Sequence, residues 1–596
     1  MNSVVSTQQR KLSKMIQTSA NDLLTHANAD PKSPSVPIDA SAQSAHTQRT
    51  KLIIPAFLCL LYVAQCAWFI GTQSLTNDEP LHIIAGLDAW RHGRFERWND
   101  HPPLVYLLLT IPLLPSGAEI DLPAEPSEND ITGIPRAERM TPSPETIAWR
   151  ARSLNVVLGV MLGLLLWTAA RRYYSESAAN FVLALFAFSP SLIAHFSVAI
   201  NDGAVALLTF AATLQLVSWR RNPSWRRTII LGLILGALLV AKFSTPMLFA
   251  LTMVLVLVLK PDKVALNPLH WNWRQAVAIF AVAFMVVWAT YFFHWTKVTL
   301  KDGTITTTSA NRTRPVIEKF SLHMNAVVYV PGGEYVEGLL KQVVHMKSGH
   351  PSFFLGQISQ TGWKMYFPVV LVLKWPTVIF ALFLAALVTA LLKFTPVPPD
   401  WRVLAILPGA YFLLSIFANV DIGERHILLV YPFVLLFIAG LWQFAQPKRL
   451  AQLLLVALVF VNAADCMRYA PGYLSYFPIF INPNTSYKLL SDSNLDWGQG
   501  LIALRKYQEQ HPTETIHLAY FGEVDPALYG IRYEPLFPNQ RASGTIVVSA
   551  MHLSGQLLDD PKAYAWTSGL QKKEILDHCL HVFEAAPQAT PSDGAR

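Results

Sequence analysis

The sequence predicts a polytopic α-helical membrane protein of about eleven spans, with a small α/β domain of the C-terminal residues held outside the bilayer. Three observations carry this. The 596 residues are 52% hydrophobic and only 14% charged, with mean hydropathy +0.32. Apolar runs near the length needed to cross a bilayer recur along the chain, a pattern that needs lipid as solvent and excludes an ordinary soluble enzyme. The basic residues, net +8, stand in short clusters beside those runs instead of on one face or tail, which fits cytoplasmic loops and argues against nucleic-acid binding.

Residues 1–50, rich in Ser, Ala, Thr and Gln, read as a disordered cytoplasmic tail, since no apolar core follows a short basic start. The spans then follow from placing Arg171-Arg172, Arg220-Arg221 with Arg226-Arg227, Lys260 with Lys263, and Lys448-Arg449 on the cytoplasmic side. Leu52–Ile70 leaves the cytoplasm, Ser153–Ala170 returns, Ala178–Ser197 leaves and Ala204–Trp219 returns. Thr228–Ala241 and Pro246–Leu259 form a short out-and-in pair. Ala276–Phe293 leaves, Tyr366–Leu392 returns, Val403–Asn419 leaves, Ile427–Ala445 returns and Leu450–Ala464 leaves.

The short, proline-interrupted run His101–Pro115 would invert every later loop if it crossed, so it is expected as an interfacial or re-entrant helix on the outer side. The spanning unit is thus 51–466, with outer loops 71–152 and 294–365. The first loop carries an acidic, Pro-rich insert, Pro115–Glu145, expected as an irregular surface loop. Residues 467–585 have a helical stretch, Leu501–Gln510, and two β-rich runs, Thr515–Phe521 and Gly544–Ala550, so a small α/β domain is expected there. Residues 586–596 are expected to be disordered. Four cysteines make no disulfide framework, and Cys466 and Cys579 are able to pair only if both lie outside.

With this topology the unusual polar residues collect on one face. Asp78 and Glu79 follow the first span, in Thr76-Asn77-Asp78-Glu79-Pro80, where adjacent carboxylates either cap the next helix or serve chemistry. His101 lies in the same loop, Arg152 opens the second span, and Asp202 sits at the outer turn after Asn201. Lys242 ends the fifth span, and His345, His350, Lys364 and Lys374 lie in or near the second outer loop. Glu424-Arg425-His426 opens the tenth span, and Asp492 and Asp496 lie in Ser491–Gln499. Cations at a water–lipid boundary suit a lipid phosphate, and a carboxylate beside them suits proton removal from an attacking hydroxyl or amine. Arg152, Lys242 and Arg425 equally suit local pairing at helix ends, and Asp492 and Asp496 equally suit turns. The spacing of His345 and His350 matches no zinc pattern, and no metal ligand set stands out, although carboxylates leave a divalent cation possible.

The motifs Asn77-Asp78-Glu79-Pro80, His101-Pro102-Pro103-Leu104, Arg152-Ser153, Asn201-Asp202-Gly203 and Ala241-Lys242-Phe243-Ser244 occur in that order. Gly362–Pro368, Lys374-Trp375-Pro376, Gly423–Ile427 and Ser491–Gln499 follow them. Together they make the chain resemble the phospholipid-carrier-dependent glycosyltransferases of the GT-C superfamily, near the protein O-mannosyltransferases and the lipid A aminoarabinose transferases. The resemblance covers Leu52 to about Tyr529.

It implies a GT-C-like fold in a bacterial inner membrane, with the site on the outer, periplasmic face. The implied activity is inverting transfer, by single displacement, of a sugar from a polyprenyl-phosphate donor to a protein hydroxyl, lipid or glycan. It also implies Asp78 as general base with Glu79 and Asp202 beside it, and Arg152, Lys242, Lys374 and Arg425 at the donor phosphate. His101, His426, Asp492 and Asp496 are the candidates for other substrate contacts. The acidic insert is not part of the family's core pattern, and the C-terminal region lacks the β-trefoil look of eukaryotic mannosyltransferases. A transporter or flippase of lipid-linked saccharides is the alternative; it would place its ionisable groups near the midplane and use paired broken helices.

Overall fold

The computed structural model of the chain describes residues 40–95, 99–123, 135–259, 268–301, 304–309, 312–317, 326–395, 397–398, 400–446 and 448–586. Most of the expected N-terminal tail and nearly all of the expected C-terminal one lie outside the described residues. Helix α1, Ala40–Thr72, begins ten residues before the expected end of the tail.

Among the described residues, six helical stretches are long and apolar enough to cross a membrane: Leu52–Thr72 of α1, α4 (Pro144–Tyr173), α7 (Asp202–Arg221), Trp273–Thr290 of α10 (Pro268–Thr290), Glu424–Ala445 and α17 (Arg449–Met467). Between them stand α2 (Glu79–His92), α3 (Leu104–Thr110), α5 (Glu176–Ala187), α6 (Pro190–His195), α8 (Trp225–Leu239) and α9 (Pro246–Val258). Serines start several of these helices: Ser143 and Ser175 accept the N–H of Thr146 and Ala178, filling orphan donors of the first turn. Helix α3 has seven residues and gives way to a six-residue 3₁₀ turn that starts at Ile111-Pro112.

Two expected spans are broken. Ala178–Ser197 ends its first helix before Ser189-Pro190, and Tyr366–Leu392 divides into α12 (Tyr366–Lys374) and α13 (Thr377–Leu391), bent by 116°. The second break is a correction to the single expected span, and Pro376 explains it. Proline has no N–H to continue the helix, and it forces Trp375 before it into extended backbone (φ −81°, ψ 139°).

The centre of the bundle is α7 and the 424–445 stretch, with 72% of each window buried, against 28% for Trp273–Thr290 and 22% for α17. Helices α8 and α10 pack closely because Gly232 and Gly236 face Val282, Ala283 and Val286. A Cβ on Gly236 would stand 2.7 Å from the Val286 Cβ, so the backbones approach only with glycine there.

The described residues of 294–365, expected as a long polar loop, form regular structure. They hold an antiparallel sheet of β3 (Trp295–Lys301), β4 (Thr304–Ser309), β5 (Arg312–Ile317) and β6 (Ala326–Pro331), in the order β5-β4-β3-β6. Helix α11 (Gly333–Ser348) follows. In the acidic insert, β1 (Glu119–Asp121) pairs antiparallel with β2 (Arg139–Thr141).

Beyond α17, helix Leu501–Gln510 precedes a five-stranded mixed sheet, as an α/β segment requires. Its strands at 516–519 and 544–549 are parallel, and those at 544–549 and 580–585 antiparallel. It belongs to the same compact unit as the helices, 55–596. All four cysteines are free, so Cys466 and Cys579 do not pair.

Candidate functional site

The first outer loop is fixed before α2 begins. Ser74 N–H donates to the Gln499 carbonyl (2.9 Å), Asn77 N–H to the Trp497 carbonyl (2.8 Å), and Leu75 N–H to the Tyr529 hydroxyl (2.9 Å). The turn that supplies these carbonyls needs Gly498, at φ +86°, where a Cβ would meet the Phe521 carbonyl at 2.8 Å. The two adjacent carboxylates then part.

Glu79 turns inward and is fully buried. It accepts from the Thr76 N–H (2.7 Å), the Ala199 N–H (2.6 Å), and Arg152 Nε (2.8 Å) and Nη2 (2.6 Å). Arg152, equally buried, spends its other donor on the Gln73 carbonyl and shares Nη2 with that of Ser74. Burial pushes the Glu79 carboxyl up, but the Arg152 guanidinium overrides it and holds it below the usual range.

Asp78 turns the other way. It occupies the N-cap position of α2 yet makes no capping bond; its Oδ2 accepts from Arg425 Nη1 at 3.0 Å and its Oδ1 from Asn77 Nδ2 at 3.3 Å. Its carboxylate lines a cavity of about 420 Å³ with Asp100, His101, Lys242, Arg425, His426 and Asp492 among the walls.

Lys242 Nζ meets Asp202 Oδ1 at 2.5 Å, which leaves the ammonium further donors for the cavity. The Arg425 guanidinium lies 4.1 Å from the Trp497 ring centroid, a stacked position that fixes its plane. Its Nε is buried without a partner. His101 stacks on His82, centroids 5.2 Å apart. Burial drives both rings down, His82 to about 4 and His101 well below its ordinary value, so both are neutral at pH 7. Asp492 takes φ +58°, a left-handed position that Asp tolerates, and burial pushes its carboxyl up.

Six candidates from the sequence therefore share one cavity: Asp78, His101, Lys242, Arg425, His426 and Asp492. Asp202 stands directly behind Lys242. Glu79, Arg152, Lys374 and Asp496 are not among the lining residues. Lys374 is buried and donates to the carbonyls of Leu474 (3.1 Å), Tyr476 (2.7 Å) and Asn494 (2.6 Å). Asp496 accepts from the Met551 and Gly498 N–H groups (each 3.1 Å) and from the Ser549 hydroxyl. These four hold the chain that shapes the cavity.

Sequence reasoning passed over Asp100, Lys341, Gln342, Trp497 and Phe521, which also line it. Lys341 and Gln342 belong to α11, whose Glu337–Lys341 pair at i, i+4 (3.0 Å) was the available signal of a helix. His345 and His350, read as loop residues, line the cavity with their rings 5.9 Å apart. Among the described residues no group of three His, Cys, Asp or Glu side chains is placed to hold a metal ion.

Several solved structures align with most of this chain. ArnT from Cupriavidus metallidurans bound to undecaprenyl phosphate is 11% identical, with 90% of this chain and 99% of that one covered and a TM-score of 0.42. The Archaeoglobus fulgidus oligosaccharyltransferase in complex with Zn and sulfate is 12% identical, covering 91% and 74%, with a TM-score of 0.44. The same ArnT in the apo state is 14% identical over 91% and 100%, with a TM-score of 0.28. No family model and no curated protein matches the chain. At these identities and scores the functional reading rests on the side chains of the cavity and on the motifs that carry them.

One acid near the cavity gives a pH prediction. Asp421 is 1% exposed; its Oδ2 accepts the Trp363 N–H at 2.6 Å and its Oδ1 has no partner. Burial pushes its carboxyl up to about 6. An unfolded Asp titrates near ~3.9. Between about pH 4 and 6 the folded chain keeps a proton that the unfolded chain has lost, so stability falls as pH rises through that window. Asp421→Asn is expected to flatten this decline in thermal unfolding measured from pH 4 to 7; the same slope in variant and parent would refute it.

Proposed function

We propose that the chain is a membrane glycosyltransferase that takes a sugar from a polyprenyl-phosphate donor and passes it to a hydroxyl- or amine-bearing acceptor. The supporting observation is a single cavity in which Asp78, free of any capping role, pairs with Arg425 and shares the lining with Lys242. The motif resemblance supplies the donor class.

In this mechanism Asp78 takes the proton of the acceptor X–H while X bonds to the anomeric carbon. The bond from that carbon to the phosphate oxygen breaks, and its electron pair leaves with the carrier phosphate. Lys242 and Arg425 hold the charge that develops on that oxygen. One displacement inverts the anomeric centre and needs no covalent carboxylate intermediate. Asp202 holds and aims Lys242, and His101 and His426 are left to bond sugar hydroxyls. A divalent cation is not required by these steps.

The finer topology belongs to the same proposal. Eleven crossings result if α5, α8, α9, α13 and Trp401–Ser415 cross with the six long stretches while α12 lies along the surface. The basic clusters then face the cytoplasm and the cavity faces outward, in a bacterial inner membrane.

The direct test is purified protein incubated with a panel of polyprenyl-phosphate sugars and candidate acceptors, with mass spectrometry for released carrier phosphate. Release that depends on acceptor supports the proposal; transport of intact donor between leaflets without bond cleavage would replace it with a flippase. Lys242→Met should raise the apparent KM for the donor at least tenfold, because one charge-assisted phosphate contact at about 1.5–3 kcal/mol is lost. An unchanged donor KM would remove Lys242 from the phosphate site.

A further inference from the structure

The sheet β3–β6 has two unlike faces. On one, helix α11 covers the strands: Thr296 and Thr307 are buried and donate their hydroxyls to Glu334 and Glu337, each at 2.7 Å. On the other, the antiparallel register sets Lys297 opposite Tyr329 and Thr299 opposite Val327, with Trp295 two residues before Lys297 on the same side. Trp295 is 58% exposed, Val327 54% and Tyr329 62%, and Phe293 just before the sheet is 52% exposed.

This aromatic surface continues from α10. That helix ends at Thr290, and its Trp288 ring lies 5.2 Å from Phe293 and 5.5 Å from Trp295, while its indole N–H donates to the His294 carbonyl at 2.9 Å. A spanning helix delivers its last turn to the headgroup level, and Trp295 follows only five residues later.

We infer that the Phe293/Trp295/Val327/Tyr329 face of the sheet is a membrane-docking surface, seated at the headgroup–acyl boundary of the bilayer. Tryptophan and tyrosine suit that depth because their rings bury apolar area while N–H and O–H reach polar groups. Lys297, exposed between them, is placed to extend its ammonium to lipid phosphate. The docking ties the bilayer surface to one wall of the cavity, because α11, on the sheet's opposite face, carries Lys341, Gln342 and His345 into it.

The test uses the full chain in nanodiscs. Tyr329→Cys and, separately, Val327→Cys are labelled with an environment-sensitive fluorophore, with Glu534→Cys on the C-terminal sheet as the exposed comparison and the unsubstituted protein as the labelling background. Lipid spin-labelled in its headgroup region is expected to quench the label at 329 and 327 at least twofold more strongly than at 534, with blue-shifted emission. Quenching at 329 and 327 no greater than at 534 would overturn the inference. So would efficient cross-linking between two copies through position 329, which would assign the face to a second chain.

Discussion

Asp78→Asn is expected to abolish sugar transfer while leaving folding intact. Positioned general bases contribute about 10²–10⁴ in rate, and asparagine keeps the acceptor oxygen for Arg425 while losing the ability to take a proton. Because the Asp78 carboxylate makes no bond to the first turn of α2, its loss costs no helix cap. Membrane insertion should therefore match the parent, thermal unfolding should shift only by the weakening of the Arg425 pair, and the apparent donor affinity should hold. The measurement is single-turnover release of carrier phosphate by the purified variant. Activity within a few-fold of the parent would take the base assignment from Asp78.

The neighbouring carboxylate should behave in the opposite way. Arg152→Met leaves Glu79 charged, fully buried and short of two of its donors, with only the Thr76 and Ala199 groups remaining. Removing one partner of a buried pair costs about 3–5 kcal/mol. The expected result is a large fall in thermal stability and yield, with residual activity lost in proportion to folded protein. Glu79→Gln combined with Arg152→Met should recover part of that stability, since no uncompensated charge is left. A single variant as stable as the parent, but unable to use the donor, would return Arg152 to the phosphate site. Asp78 and Glu79 are thus separable by experiment: loss of rate at one, loss of stability at the other.

Much of the helical frame was legible because spanning length and basic flanks are local properties. Leu52–Ile70, Ser153–Ala170, Ala204–Trp219 and Leu450–Ala464 each fall within a long apolar helix, and Ala276–Phe293 overruns one that ends at Thr290. The two broken stretches were misjudged as continuous because hydropathy averages over a proline that backbone geometry cannot ignore. The sheet of 295–331 escaped because its strands, rich in threonine in β3 and β4, lack strict apolar alternation. One face is buried through Thr–Glu hydrogen bonds with α11, a signal that hydropathy does not register.

By itself the sequence determined the class of protein and the shortlist of polar residues. Charges are costly beside a bilayer, and their sparse placement marks them without any coordinates. It did not determine which of those residues face the same space. Adjacent Asp78 and Glu79 are equivalent in sequence and opposite in the fold. Glu79 points at Arg152 and the Ala199 N–H, contacts separated from it by 73 and 120 residues, whereas Asp78 points at Arg425, 347 residues away. Only the tertiary fold, which sets the start of α2 beside Arg152 of α4, the turn at Ala199 and Arg425, brings those partners near. The physical reason is that a carboxylate's role is set by the donors around it, and here the charged donors, Arg152 and Arg425, both come from distant parts of the chain.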